Sequence, residues 1–136
     1  MTTLDGIKIL IVDDEPFMRT TIKAVLRAAG RFDVREAEDG DIALGEVELW
    51  QPDIVLCDIA MPRIGGLRFV ELLRKHPDAR MHETPVIILT GRAEETTVVA
   101  ASKLQINGYL VKPVSPKQVG QQLQKILAAR EVTPEI

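Results

Sequence analysis

The sequence predicts an α/β fold of the flavodoxin-like, doubly wound (βα)5 kind: a five-stranded parallel sheet of order 2-1-3-4-5 with helices on both faces. Three observations predict it. Short apolar runs rich in β-branched residues alternate five times with longer segments of helical periodicity, which implies parallel strands joined by right-handed crossovers. The second run is polar, as an edge strand is. The inner runs end in acidic, hydroxyl or lysine side chains, at the sheet edge where this architecture binds ligands.

The elements follow in order. Residues 7–12 (IKILIV) form the first buried strand. Residues 16–29 carry Phe17, Met18, Ile22, Val25 and Leu26 at helical spacing, with Pro16 in the first turn and Gly30 as the stop. Residues 32–37 (FDVREA) are the edge strand, and Asp39 stands ready to cap a helix over 40–50, which carries Ile42, Ala43, Val47 and Trp50. Strand 54–57 (IVLC) leads to a helix over 66–75 with Leu67, Val70, Leu72 and Leu73. The polar stretch HPDARMHETP, holding His76 and His82, reads as a solvated loop in which neither histidine has a partner set at metal spacing. Strand 86–89 (VIIL), a helix over 93–104, strand 109–111 (YLV) and a helix over 116–130 complete the series. Residues 129–136 read as a frayed tail, so residues 1–136 make one domain with a core of about 7–128.

Composition narrows the class. Of 136 residues, 46% are hydrophobic and 27% charged, which is ordinary for a soluble globular domain. A net charge of −3 gives no footprint for nucleic acid. Residues 1–8 (MTTLDGIK) lack the pattern of a signal peptide, and no apolar run has the ~18 residues that spanning a bilayer takes. A cytoplasmic protein without membrane insertion is expected. The one cysteine, Cys57, sits inside an apolar run and reads as a core residue.

The chemistry lies at the strand ends. Strand 1 ends in Asp13-Asp14-Glu15, strand 3 in Asp58, strand 4 in Thr90 and strand 5 in Lys112-Pro113. Singly, each has a plain structural explanation: Asp14, Glu15 and Thr90 as helix caps, Asp58 in a turn, Lys112 as a solvated charge. Jointly they fall on the strands that border the switch point of the fold. Carboxylates gathered so closely repel unless a cation intervenes, and an all-oxygen set selects a hard one, Mg²⁺ foremost. A carboxylate nucleophile, a metal, a lysine and a hydroxyl are what phosphoryl transfer requires.

The elements ILIVDDE (9–15), DIAMP (58–62), Gly66-Leu67, IILTG (87–91) and GYLVKP (108–113) resemble the receiver domains of bacterial two-component response regulators, including single-domain chemotaxis-type receivers. The resemblance implies a phosphoprotein of phosphorelay signal transduction, with Asp58 as phosphoacceptor. It implies Mg²⁺ (or Mn²⁺) on Asp13, Asp14, Asp58 and the backbone oxygen of Ala60, with Asp14 the direct ligand and Asp13 acting through water. Lys112 would bind the phosphoryl oxygens and Thr90 would swing in to hydrogen-bond one of them. Tyr109 stands at the family's rotating aromatic, and Lys112-Pro113 at its cis peptide. The implied partners are a sensor histidine kinase or histidine phosphotransfer protein and a downstream protein of unknown identity. That protein would dock on the surface of helix 93–104, strand 109–111 and helix 116–130. No external substrate would be turned over.

The sequence departs from the family in places. Gly65 replaces a frequent aspartate, leaving the third helix without an acidic cap. Gln105-Ile106-Asn107 replaces a frequent Gly-Ala end to the fourth helix, and Arg92 offers a large cation that would prolong the phosphoryl lifetime. Three rivals compete. A flavin or nucleotide binder wants a Gly-rich loop where Asp-Asp-Glu-Pro stands. An aspartyl phosphatase wants two aspartates at alternate positions, whereas Asp13 and Asp14 are adjacent. A pseudo-receiver would lack part of the acceptor set, all of which is present.

Overall fold

The structure, a computed structural model, describes residues 6–59, 61, 64–91 and 103–131. Five strands, β1 (Lys8–Val12), β2 (Asp33–Ala37), β3 (Ile54–Asp58), β4 (Val86–Thr90) and β5 (Gly108–Val111), form one sheet in the order β2-β1-β3-β4-β5, every pairing parallel. The predicted order and connectivity hold. The described helices are α1 (Pro16–Ala29), α2 (Gly40–Trp50), α3 (Gly66–Arg74), α4 (Ala79–His82) and α5 (Pro116–Glu131). The helix expected over 93–104 lies almost wholly outside the described residues.

Period-two alternation sorts the strand side chains between two cores. Ile9, Ile11, Ile54, Leu56, Ile87 and Leu89 face one side, where Ile22 and Leu26 of α1 and Val119 and Leu123 of α5 cover them. Leu10, Val12, Val55, Cys57, Val86 and Ile88 face the other, against Val47 of α2 and Phe69, Val70 and Leu73 of α3. Each fully buried Leu, Ile or Phe contributes ~1.5–3 kcal/mol relative to exposure, so the inner strands form a rigid base for whatever follows them.

The termini of the elements show how local chemistry sets boundaries. Asp39 caps α2 by accepting a hydrogen bond from the Ile42 amide at 2.9 Å, as predicted. Glu15 occupies the N-cap position of α1 without a side-chain hydrogen bond, so its side chain does not cap the helix. Gly65 likewise precedes α3 with no side-chain cap. Gln105 takes the left-handed conformation, φ 59°, in the turn where the family's glycine was missed.

One expectation is corrected. The stretch after α3 is not a simple solvated loop: Asp78 caps the single turn α4 by accepting from the Arg80 amide, and Met81 is buried beneath it. One turn is too short to show helical periodicity, and a lone Met gives little signal. Both histidines hold this turn. His76 Nδ1 accepts from the Asp78 amide at 3.0 Å, and His82 Nδ1 lies 2.9 Å from the His76 carbonyl, which it meets as a donor.

Candidate functional site

Asp13, Asp14, Asp58, Thr90 and Lys112 converge at the carboxyl ends of β1, β3, β4 and β5. Parallel register places them there: Asp58 pairs with Leu89, Thr90 pairs with Val111, and the Lys112 amide donates to the Thr90 carbonyl at 2.7 Å. Carboxylate oxygens of Asp13, Asp14 and Asp58 lie within 4.8 Å of one another. The adjacency of Asp13 and Asp14 does not send both side chains apart, because β1 ends at Val12 and the chain bends at Asp14. Strand alternation no longer applies beyond that point.

Among the described residues, Lys112 brings the positive charge to the pocket. Its Nζ donates to Asp58 Oδ1 at 3.1 Å and lies 3.7 Å from Asp13 Oδ2. The Lys112-Pro113 peptide is cis, as expected. Asp58 and Thr90 are both buried, whereas Asp14 is half-buried.

Asp13 is the most constrained of the acids. It is 1% exposed, and its Oδ1 accepts from the Glu15 amide at 2.9 Å. Among the described residues no donor reaches its Oδ2 within hydrogen-bond distance. Burial pushes its carboxyl above the ordinary value; the Glu15 amide opposes this, the Asp58 charge adds to it, and Lys112 offsets part. An orphaned, buried carboxylate oxygen facing two other carboxylates fits a hard cation. Every member of the set is an oxygen donor. Cys57, next to Asp58, takes no part: its thiol is fully buried in the core and burial raises its pKa far enough to keep it protonated.

Tyr109 is 42% exposed on the edge strand β5. Ala60 and Arg92 lie outside the described residues. Sequence reasoning missed Arg19 and Glu36. Arg19, one turn into α1, donates through a guanidinium nitrogen to the Asp13 carbonyl at 2.7 Å and through Nε to Glu36 at 3.1 Å. Its only signal was a cation within the first turn of a helix that follows the acidic strand end.

Fold and pocket together define a class: a flavodoxin-like α/β domain whose strand ends gather three carboxylates and a lysine into one acidic pocket. The chain belongs to the response regulator receiver domain family, whose model matches residues 9–124. Members of that family serve two-component systems as phosphoryl acceptors. The chain is 34% identical to chemotaxis protein CheY1 of Helicobacter pylori over 131 residues, 91% of this chain and 99% of that protein. It is 33% identical to PhoP of Bacillus subtilis, the alkaline phosphatase synthesis transcriptional regulatory protein, over 92% of this chain. The match spans only half of that regulator's length. Among solved structures, a putative response regulator from Chloroflexus aurantiacus superposes with a TM-score of 0.82 at 30% identity, covering 91% of this chain and 99% of the other. Among the described residues no helix is long and apolar enough to cross a membrane.

Proposed function

We propose that this receiver accepts a phosphoryl group on Asp58 from a histidine kinase or histidine phosphotransfer protein, in a reaction that requires Mg²⁺. The observation that carries the reading is Lys112 Nζ at 3.1 Å from Asp58 Oδ1, beside two further carboxylates within 4.8 Å. An Asp58 carboxylate oxygen forms the new P–O bond as the P–N bond of a phosphohistidine breaks; with the other ring nitrogen of that histidine protonated, the P–N electron pair stays on the ring and neutral imidazole leaves. Lys112 then turns from the carboxylate to a phosphoryl oxygen, and Thr90 donates to another. Asp13, Asp14 and Asp58, with the Ala60 carbonyl, would hold the cation. When bound, Mg²⁺ neutralises charge on the transferring oxygens.

The donor has a place to rest. An apolar cleft of about 260 Å³ opens between Met18 and Ile22 of α1 and the segment Lys112–Val114, next to the pocket. Phe17 projects beside Met18 and is 79% exposed. A protein that delivers a phosphoryl group to Asp58 would cover this ground.

The experiment is intact-mass analysis after incubation with acetyl phosphate. Wild type gains one phosphoryl group with Mg²⁺ or Mn²⁺ and none with chelator, and Asp58→Asn gains none. Modification of Asp58→Asn at the wild-type rate would overturn the assignment.

A further inference from the structure

Arg19 sits where α1 passes over the ends of β1 and β2. Its side chain is 15% exposed, low for an arginine with solvent within reach. The guanidinium spans two acceptors at once: the backbone carbonyl of Asp13 at 2.7 Å and Glu36 Oε1 at 3.1 Å. Glu36 precedes Ala37, whose carbonyl accepts from the Asp13 amide at 3.1 Å. The second Glu36 oxygen is taken by Lys23 at 3.1 Å. Asp13 is thereby held at its amide by Ala37, at its carbonyl by Arg19 and at Oδ1 by the Glu15 amide, leaving Oδ2 directed at the pocket.

We infer that Arg19 is a positioning residue for the cation site: by fixing the Asp13 peptide against the end of β2, it aims the Asp13 and Asp14 carboxylates at a shared ligand. The inference rests on the metal reading given above. Arg19 bonds the Asp13 backbone and not the carboxylates that would hold the cation. Only an arginine serves, since a planar fork reaches two acceptors in fixed geometry and a lysine offers one nitrogen. Glu36 takes up its charge, so the guanidinium orients the acids without a free cation standing beside a cation site.

Charge and geometry predict opposite signs, which makes the test sharp. If Arg19 acted only through charge, its removal would tighten Mg²⁺ binding by relieving repulsion. If it positions Asp13, its removal weakens binding, and supports of metal ligands typically account for about 10–100-fold in affinity.

The probe is Mg²⁺ alone, titrated calorimetrically into wild type, Arg19→Met, Arg19→Lys and Glu36→Gln, well below each melting temperature with folding checked by circular dichroism. Arg19→Met should bind Mg²⁺ about tenfold more weakly. Arg19→Lys should lose most of the same factor despite its charge, and it stands in should the methionine variant fail to fold. Glu36→Gln, which keeps an oxygen acceptor for Arg19 but leaves its charge uncompensated, should weaken binding less than either Arg19 variant. A folded Arg19→Met or Arg19→Lys protein with unchanged or tighter Mg²⁺ binding overturns the positioning role. Wild type that binds no Mg²⁺ overturns the metal reading itself, and this inference with it.

Discussion

Gly66 lies directly against the backbone of Asp58: a β-carbon at Gly66 would overlap the Asp58 carbonyl oxygen and approach the Ile59 α-carbon to 2.9 Å. The Gly66 amide also donates to the Ile59 carbonyl at 3.1 Å, closing the start of α3 onto the end of β3. The obstacle is rigid backbone, so no rotamer change relieves it. Gly66→Ala should therefore lose about 1–3 kcal/mol of stability and displace Asp58 from Lys112. Urea denaturation measures the first effect and the rate of acetyl phosphate modification the second. An alanine variant matching wild type in both would show that the close approach is slack.

Much of this was legible in the sequence, for identifiable reasons. Strand runs such as IVLC and VIIL are short, β-branched and buried on both faces, so they announce a central parallel sheet. Asp13, Asp14, Asp58, Thr90 and Lys112 could be grouped because a parallel sheet aligns strand ends, turning distant positions into neighbours. What stayed hidden depends on long-range contacts to backbone groups. Arg19 meets a carbonyl, and Arg74 meets several, and a carbonyl leaves no mark on a sequence pattern. The turn α4 was missed because a single turn has no period to detect.

Arg74, at the end of α3, illustrates the second kind. Its guanidinium donates to the carbonyls of Thr84 at 2.7 Å, His82 and Gln105 at 2.9 Å, and Leu104 at 3.1 Å. These belong to the end of α4 with the chain just after it and to the turn that leads into β5, so one side chain ties both to α3. Arg74→Met should lose about 3 kcal/mol, since hydrogen bonds from a charged donor are worth more than neutral ones and their carbonyls are left partnerless. Hydrogen exchange should accelerate at the amides of residues 103–107 more than in β1 or β3. Uniform acceleration across the sheet would mean that Arg74 supports the whole fold and not this junction.

The Glu36 cluster sets an acid limit on stability. Burial raises its carboxyl pKa, but hydrogen bonds from Lys23 and Arg19, reinforced by their charges, outweigh that and hold it below its ordinary value of 4.5. A carboxylate depressed in the folded state contributes stability that is present above the unfolded-state value and lost as pH falls through the folded one. Wild type should thus melt higher than Glu36→Gln at neutral pH, by less than about 1 kcal/mol for so exposed a group. The gap should close as pH falls below 4.5 and shrink with added salt. A gap that persists in acid would assign the effect to packing and not to charge.

The last prediction concerns how a phosphoryl group at Asp58 reaches the outer surface. Tyr109 pairs with Ile88 on β4, two residues before Thr90, and precedes Lys112 by three on β5. Its ring is exposed and borders a groove of about 450 Å³ with Val111, Gln118, Gln121 and Lys125, which joins the strand to α5. A phosphoryl group brings nearly two negative charges to the strand ends, and both Thr90 and Lys112 must reorient toward it. Because Lys112 hangs from the Thr90 carbonyl through its own amide, the two responses share one piece of backbone. Space vacated by Thr90 would give the Tyr109 ring an inward position, and a hydrogen bond in the pocket would then become a change of surface. With Mg²⁺ and beryllofluoride, an aspartyl-phosphate mimic, backbone NMR shifts should concentrate over residues 90–118, and the Tyr109 ring should lose accessibility to a soluble paramagnetic probe. An inward ring about a few kcal/mol above the outward one should already be a minor population before the mimic is added. Asp58→Asn should abolish both responses, while Tyr109→Ala should keep shifts in the acidic pocket and lose those on α5. Shifts confined to the pocket in wild type, with Tyr109 as accessible as before, would mean that the ring is a surface residue and no part of the switch.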